Sequence, residues 1–473
     1  LSIRGEVQEV VSGFSACPAP PVVVVCGTSP DRRAMPDPAP TPDELARGAR
    51  RKVAWRVLPL LFLLYVIAYL DRANVGFAKL RMQADLGFSE AVFGYGFGLF
   101  FVGYMFLEIP GALFVEHWSA RKWFARILVT WGALAMAMAL VETPTQFYLV
   151  RFLLGLAEAG FFPGVIVYFS HWFPRKDRAR AMSAMLLGVP LSMAFGAPVT
   201  AVLLEQDGFG LTGWQWVFLV EGAPAVLLGV AVPFLLTDRP RQARWLTPEE
   251  REWLEGALEA ERRATAPAGR ASLGQALRTR NVWLLALAIL ATNLGGYVFV
   301  FWMAAVVQGL LAAAGRGTDP TNVLSWTTFV FLSGAVGVRV SGWSSDRTGD
   351  RKGHCAAGQL GAALFITLAM VPGQPWVVVF AWLCLVGFFA NFWFTPFWVL
   401  PTTTLTSSAA AVSIGVINMC GNIAGAVGNP VVGEMKDAGW GDQAAMAFVA
   451  ASFALGAAFV SMVRVPPREG ASE

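Results

Sequence analysis

Twelve stretches of the chain run for roughly 20 residues with almost no charge, the length an α-helix needs to cross the hydrocarbon of a bilayer. They fall near 57–80, 91–113, 123–142, 147–171, 180–204, 216–236, 282–309, 322–343, 355–371, 376–400, 409–431 and 442–465. Apolar residues within them are continuous rather than alternating. The runs therefore read as helices, which satisfy their own backbone in lipid, and not as strands of a barrel. Only 14% of the 473 residues are charged and 56% are hydrophobic, against about a quarter charged in a soluble domain. An all-α integral membrane protein with twelve transmembrane helices is expected. A net charge of +4 is too small to point to nucleic acid. Five cysteines show no paired spacing and three histidines stand far apart, so no disulfide framework, metal site or cofactor is expected. No nucleophile and base fall together, and an enzyme is not expected.

A polar stretch, 237–281, divides the runs six and six. The expected organisation is an N-terminal segment 1–50, disordered or ahead of the true start at Met35; a six-helix bundle 51–236; a cytoplasmic linker 237–281; a second six-helix bundle 282–465; and a short tail 466–473. The VVVVC run at 22–26 is too short for the core of a signal peptide. Within the linker, WLTPEEREWL starts a short surface helix: Thr247 caps it, Pro248 suits its first turn and Glu250 completes a capping box. Basic residues set the orientation. Arg47, Arg50, Arg51, Lys52, Arg121, Lys122, Arg175, Lys176 and Arg351 crowd one set of loops, whereas the opposite loops carry only Lys79, Arg81, Arg316 and Lys436. Both termini are expected in the cytoplasm.

The loop after the second run reads ALFVEHWSARK, and the loop after the eighth reads GWSSDRTGDRK. Aligned without gaps, Glu116 meets Asp346, Arg121 meets Arg351 and Lys122 meets Lys352, the mark of a duplicated half. Ser119 stands where the second copy has Gly349. This acid-and-basic loop resembles the signature of the major facilitator superfamily. AYLDRANVGFAKL, FFVGYMFLEIPG, RFLLGLAEAGFFPGVIVYFSHWFP, PFWVLPT and INMCGNIAGAVGNP look like its anion:cation symporter branch, whose bacterial members take up tartrate-like, phthalate, aromatic and sugar-acid anions. The resemblance implies two pseudo-symmetric six-helix bundles and proton-driven symport of a small organic anion by alternating access. It also implies a multi-pass protein of the bacterial inner membrane, acting as a monomer.

Charged side chains inside a bilayer are costly and face a cavity or one another. Asp71 and Arg72 in the first run, with Arg151 and Glu158 in the fourth, are the candidates for a buried network. Neighbouring helix positions point about 100° apart, so Asp71 and Arg72 do not form an ideal pair with each other. The second half offers neutral groups instead: Asn293, Tyr297, Asn391, Thr395, Asn418 and Asn422. By the resemblance, Asp71 and Glu158 are the proton-coupling acids. Arg72 and Arg151 bind substrate or tune those acids, and Tyr69 and Tyr104 lie near the anion. Asn418 and Asn422, one turn apart, read either as substrate contacts or as interhelical hydrogen bonds. Glu116, Arg121, Asp346, Arg347 and Arg351 read as a cytoplasmic gate in which the loop acids clamp the following arginines. Glu108 and Glu221 read as helix-end structure, and Gly94 with Gly98 as a small-residue face for helix contact. Two other functions stand beside uptake. One is an antiporter, against which GVPLSMAFGAPV in the fifth run counts because it departs from the GPxxGG pattern; the other is a nutrient sensor on the same scaffold.

Overall fold

The computed structural model describes residues 41–265, 278–404 and 407–465; the expectations for the N-terminal 40 residues and the tail lie outside them. Among the described residues the regular elements are helical. The first half comprises α1 (Pro42–Leu86), α2 (Glu90–His117), α3 (Ala120–Ala137), α4 (Pro144–Glu158), α5 (Phe161–Trp172), α6 (Arg175–Leu186), α7 (Gly188–Leu204) and α8 (Gly213–Leu235). The connector helix is α9 (Pro248–Thr265). The second half comprises α10 (Arg280–Ala313), α11 (Pro320–Thr348), α12 (Arg351–Ala369), α13 (Trp376–Phe392), α14 (Phe394–Thr404), α15 (Ser407–Asp437) and α16 (Gly441–Ser461).

Ten helical stretches among the described residues are long and apolar enough to cross a membrane. They cover ten of the twelve expected runs; α12 and α15 stand at the other two. Polar content explains α12, which opens with Arg351, Lys352 and His354. Within the first half α3 packs on α8, α4 on α2, and α7 on α1; within the second, α10 on α15 and α16, and α13 on α11 and α12. The halves meet where α2 lies on α15 and α7 on α11.

Helix α1 begins at Pro42, inside the segment expected to be disordered. Its first turns dock on the connector: Lys52 bonds Glu250 at 2.8 Å, and the Arg50 guanidinium sits 5.3 Å from the Trp253 ring centre. The connector helix starts as expected, with Glu250 N donating to Thr247 Oγ1 (3.2 Å) and Thr247 N donating to Glu250 Oε2 (3.0 Å). At its other end α1 continues to Leu86. Lys79 and Arg81, expected in a loop, are therefore helical. Lys79 is buried, bonded to Glu90 at 2.5 Å and placed 4.0 Å from the Trp302 ring centre. Here the halves are also tied by charge. Lys436 of α15 lies 3.8 Å from Glu90, and the Asp437 carboxylate accepts from the amides of Glu90 and Ala91 (both 3.0 Å), the first two residues of α2. Gly94 and Gly98 permit this approach: a Cβ at either would stand 2.6 or 2.7 Å from the Asn429 or Ala426 carbonyl oxygen of α15.

The fourth run is not one helix. It breaks between α4 and α5, directly after Glu158, where Gly160 adopts φ +83°. A side chain is disfavoured there by about 1–2 kcal/mol. A Cβ at Gly160 would also meet Gly111 Cα of α2 at 2.6 Å. Gly160→Ala is expected to lower the unfolding temperature in detergent. Gly256→Ala, on α9 with open space around it, is expected to be neutral or to stabilise by about 0.5–1 kcal/mol. Unfolding scans of the two variants side by side check this; equal behaviour would show that the break is not constrained.

Candidate functional site

Tyr69 and Arg72 lie three residues apart on α1 and so share a face. Arg72 reaches α4 and pairs with Glu158, Nη2 to Oε1 at 2.5 Å. Three rings surround its guanidinium: Tyr69 and Tyr104 at 4.9 Å and Phe100 at 5.3 Å from the ring centres. Rings at such distances attract a desolvated cation. Arg151, one face along α4, stacks on Phe100 as well, at 4.9 Å, and its Nε donates to the Gly96 carbonyl at 3.1 Å. Its Nη2 takes no hydrogen-bond partner among the described residues. Phe100 thus stands between two guanidiniums, a role its place in an apolar run does not signal. The Arg72 side chain is 13% exposed, whereas Arg151 is 1% exposed.

Asp71 looks elsewhere. Its carboxylate accepts from the Trp131 indole of α3 and from Asn74 Nδ2 (3.1 Å). Among the described residues no ion pair includes Asp71 or Arg151. The expected four-residue network is therefore one ion pair, Arg72–Glu158, with Asp71 and Arg151 to either side. Glu221 is not helix-end structure: it is buried, and its carboxylate accepts from Thr200 Oγ1 at 2.7 Å.

Glu108 is also misread by its position in the sequence. It lies one turn beyond Tyr104 on α2, is 7% exposed, and reaches the other half. Asn418 and Asn422 of α15 each donate to one of its carboxylate oxygens, Asn422 at 2.9 Å. Beside them Tyr297 of α10 packs on Phe101 of α2, ring centres 4.3 Å apart. Of the other neutral groups, Asn391 bonds within its own helix, to the Gly387 carbonyl at 3.0 Å.

The repeated loops differ from the expected clamp. Asp346 does pair with Arg351, at 2.6 Å. Glu116 instead bonds His171 (2.8 Å) and lies 4.0 Å from Arg239, while Arg121 pairs with Asp238 at 3.3 Å. The reason is local. Gly349 takes φ +65° and turns the chain after α11, but Ser119 is extended and caps α3 with its own hydroxyl, so the first loop presents Glu116 to α5 and the connector. Arg347 stacks 5.7 Å from the Trp343 ring.

The profile of the Major Facilitator Superfamily matches residues 61–429. The chain belongs to the major facilitator superfamily. It is 40% identical over 432 residues to a putative tartrate transporter of Agrobacterium vitis, covering 90% of this chain and 97% of that protein. It is 39% identical to a quinolone resistance transporter of Acinetobacter baumannii, covering 82% and 88%. The solved xylose transporter XylE from E. coli, in an inward open conformation, shares the superfamily fold with a TM-score of 0.70 at 15% identity, over 88% of this chain and 97% of that one. This member of the superfamily is a multi-pass membrane transporter.

Trp131→Phe keeps the ring but removes the donor to Asp71. Leaving a buried carboxylate oxygen unpaired costs about 1–3 kcal/mol. Chemical unfolding of the purified protein in detergent is expected to register that loss; no measurable change would mean that the bond does not hold Asp71 in place.

Proposed function

We propose that this transporter carries a small organic carboxylate anion into the cell together with protons, by alternating access. The observation that carries the reading is the Arg72–Glu158 pair, set among rings with one partner partly exposed and the other fully buried. An anion that reaches Arg72 competes with Glu158 for it. A carboxylate left without its cation in a dry site takes up a proton more readily. Anion and proton thus favour each other's binding, and the coupling is reciprocal. In this reading Glu158 and Asp71 are the proton sites, the second held by N–H donors rather than by a cation. Arg72 contacts the anion, Arg151 holds the local positive field, Tyr69 and Tyr104 flank the ligand, and Asn418 and Asn422 offer donors from the second half. The loaded site is nearly neutral, which lets the halves rock around it.

The loop acids Glu116 and Asp346, with Arg121, Arg347 and Arg351, serve as the cytoplasmic gate when the site faces out; His171, Arg239 and Asp238 complete the first copy. The distribution of basic residues supports cytoplasmic termini, and the bacterial relatives support the inner membrane. The tartrate transporter supports an organic anion as cargo. Export is the second reading, favoured by the similarity to a quinolone resistance transporter.

Uptake into proteoliposomes with an imposed pH gradient, acid outside, tests the proposal against hydroxy acids, sugar acids and aromatic acids. Accumulation is expected with that gradient and not with its reverse; the opposite result makes the protein an exporter. Asp71→Asn and Glu158→Gln are each expected to abolish gradient-driven accumulation while retaining exchange of internal for external substrate. Accumulation that survives in either variant removes that acid from the coupling role. Arg72→Lys keeps the charge but loses the planar fork that suits a carboxylate. Its uptake is expected to fall about 10- to 100-fold, and near wild-type transport would exclude a forked contact.

A further inference from the structure

Asn418 and Asn422 lie one turn apart on α15 and give one donor to each oxygen of a single carboxylate. That is the arrangement of a carboxylate-binding cradle, and its occupant is the chain's own Glu108. The carboxylate comes from α2 in the opposite half. Arg72 sits against Tyr104, one turn before Glu108 on α2. Two anion-receiving positions thereby stand over neighbouring turns of α2: the guanidinium against Tyr104 and the amide pair against Glu108.

We propose that Glu108 is an internal stand-in for the second carboxylate of a dicarboxylate substrate. It fills the Asn418–Asn422 cradle when the site is empty and yields it when a diacid binds with its other carboxylate on Arg72. The inference rests on the transport reading above and narrows the cargo from organic anions to short diacids. Its physical content is competition. A site occupied by its own chain is available to ligand only in the fraction of molecules where that occupant has left, and the apparent affinity is lowered by that fraction. Displacing Glu108 also severs its two hydrogen bonds from α15, so binding of the second carboxylate removes one of the ties between the halves. A monoacid leaves that tie intact.

The test compares isosteric ligands. Succinate, malate, tartrate and a sugar diacid are each measured beside the corresponding monoamide, by dissociation constant in detergent and by uptake in proteoliposomes. Wild-type protein is expected to prefer a diacid over its monoamide. Glu108→Gln weakens the internal competitor and is expected to tighten diacid binding about five- to tenfold with little change for the monoamide. Asn422→Ala and Asn418→Ala are expected to erase the preference; they read the same subsite from the other helix should Glu108→Gln fail to reach the membrane. Weaker diacid binding in Glu108→Gln, or equal shifts for diacid and monoamide, overturns the proposal and leaves organic-anion transport standing. If wild-type protein moves none of these acids in either form, the transport reading itself fails and this inference with it.

Discussion

The site is organised by one ion pair in a place with almost no water. Arg72 and Glu158 join α1 to α4 at 2.5 Å. Such a pair is a poor device for stability, since apolar residues of the same volume often serve as well or better, while losing one partner costs about 3–5 kcal/mol. In the proposed mechanism what it supplies is responsiveness. Both members are held in place by packing, and each becomes unstable when the other is engaged elsewhere. The surrounding features follow from that demand. Three rings desolvate the guanidinium without neutralising it. The break at Gly160 ends α4 directly after the acid, so Glu158 stands at a helix terminus close against α2.

Charge is divided unequally between the halves. The first half holds Asp71, Arg72, Glu108, Arg151, Glu158 and Glu221 in its interior. The second meets them with amides and a phenol ring: Asn418, Asn422 and Tyr297. The contacts between halves are of three kinds, one of them aromatic rings packed across the boundary, as Phe97 on Phe301 and Phe101 on Tyr297. Some are backbone against backbone at glycine, as where α2 crosses α15; others are a few hydrogen bonds and ion pairs.

Much of this was legible in the sequence because it depends on residues near one another in the chain. The long apolar runs, the Thr247–Glu250 capping box and the repeated loop are local patterns, and each has its helix or turn in the structure. The angular separation of Asp71 from Arg72 was also readable. Its outcome was not, because Trp131 is an unremarked ring in an apolar run until folding brings α3 against α1. Glu108 looked like helix-end polarity for the same reason: its partners are on a helix some 310 residues away. Lys79, expected in a loop, lies within α1; Glu90 and Trp302 supply the partners that let the helix continue. The first loop misled through its likeness to the second. One substitution, Ser119 for glycine, changed how the chain leaves α2 and gave Glu116 and Arg121 separate partners.

Asp437 closes the first turn of α2 from the opposite half, accepting two of the amides that a helix start leaves without intrahelical acceptors. A helix of one bundle is therefore completed by a side chain of the other. When the bundles part at this end, those amide protons pass from a carboxylate to solvent. The protection of Glu90 and Ala91 against deuterium is thus a gauge of how much of the population is closed on that side.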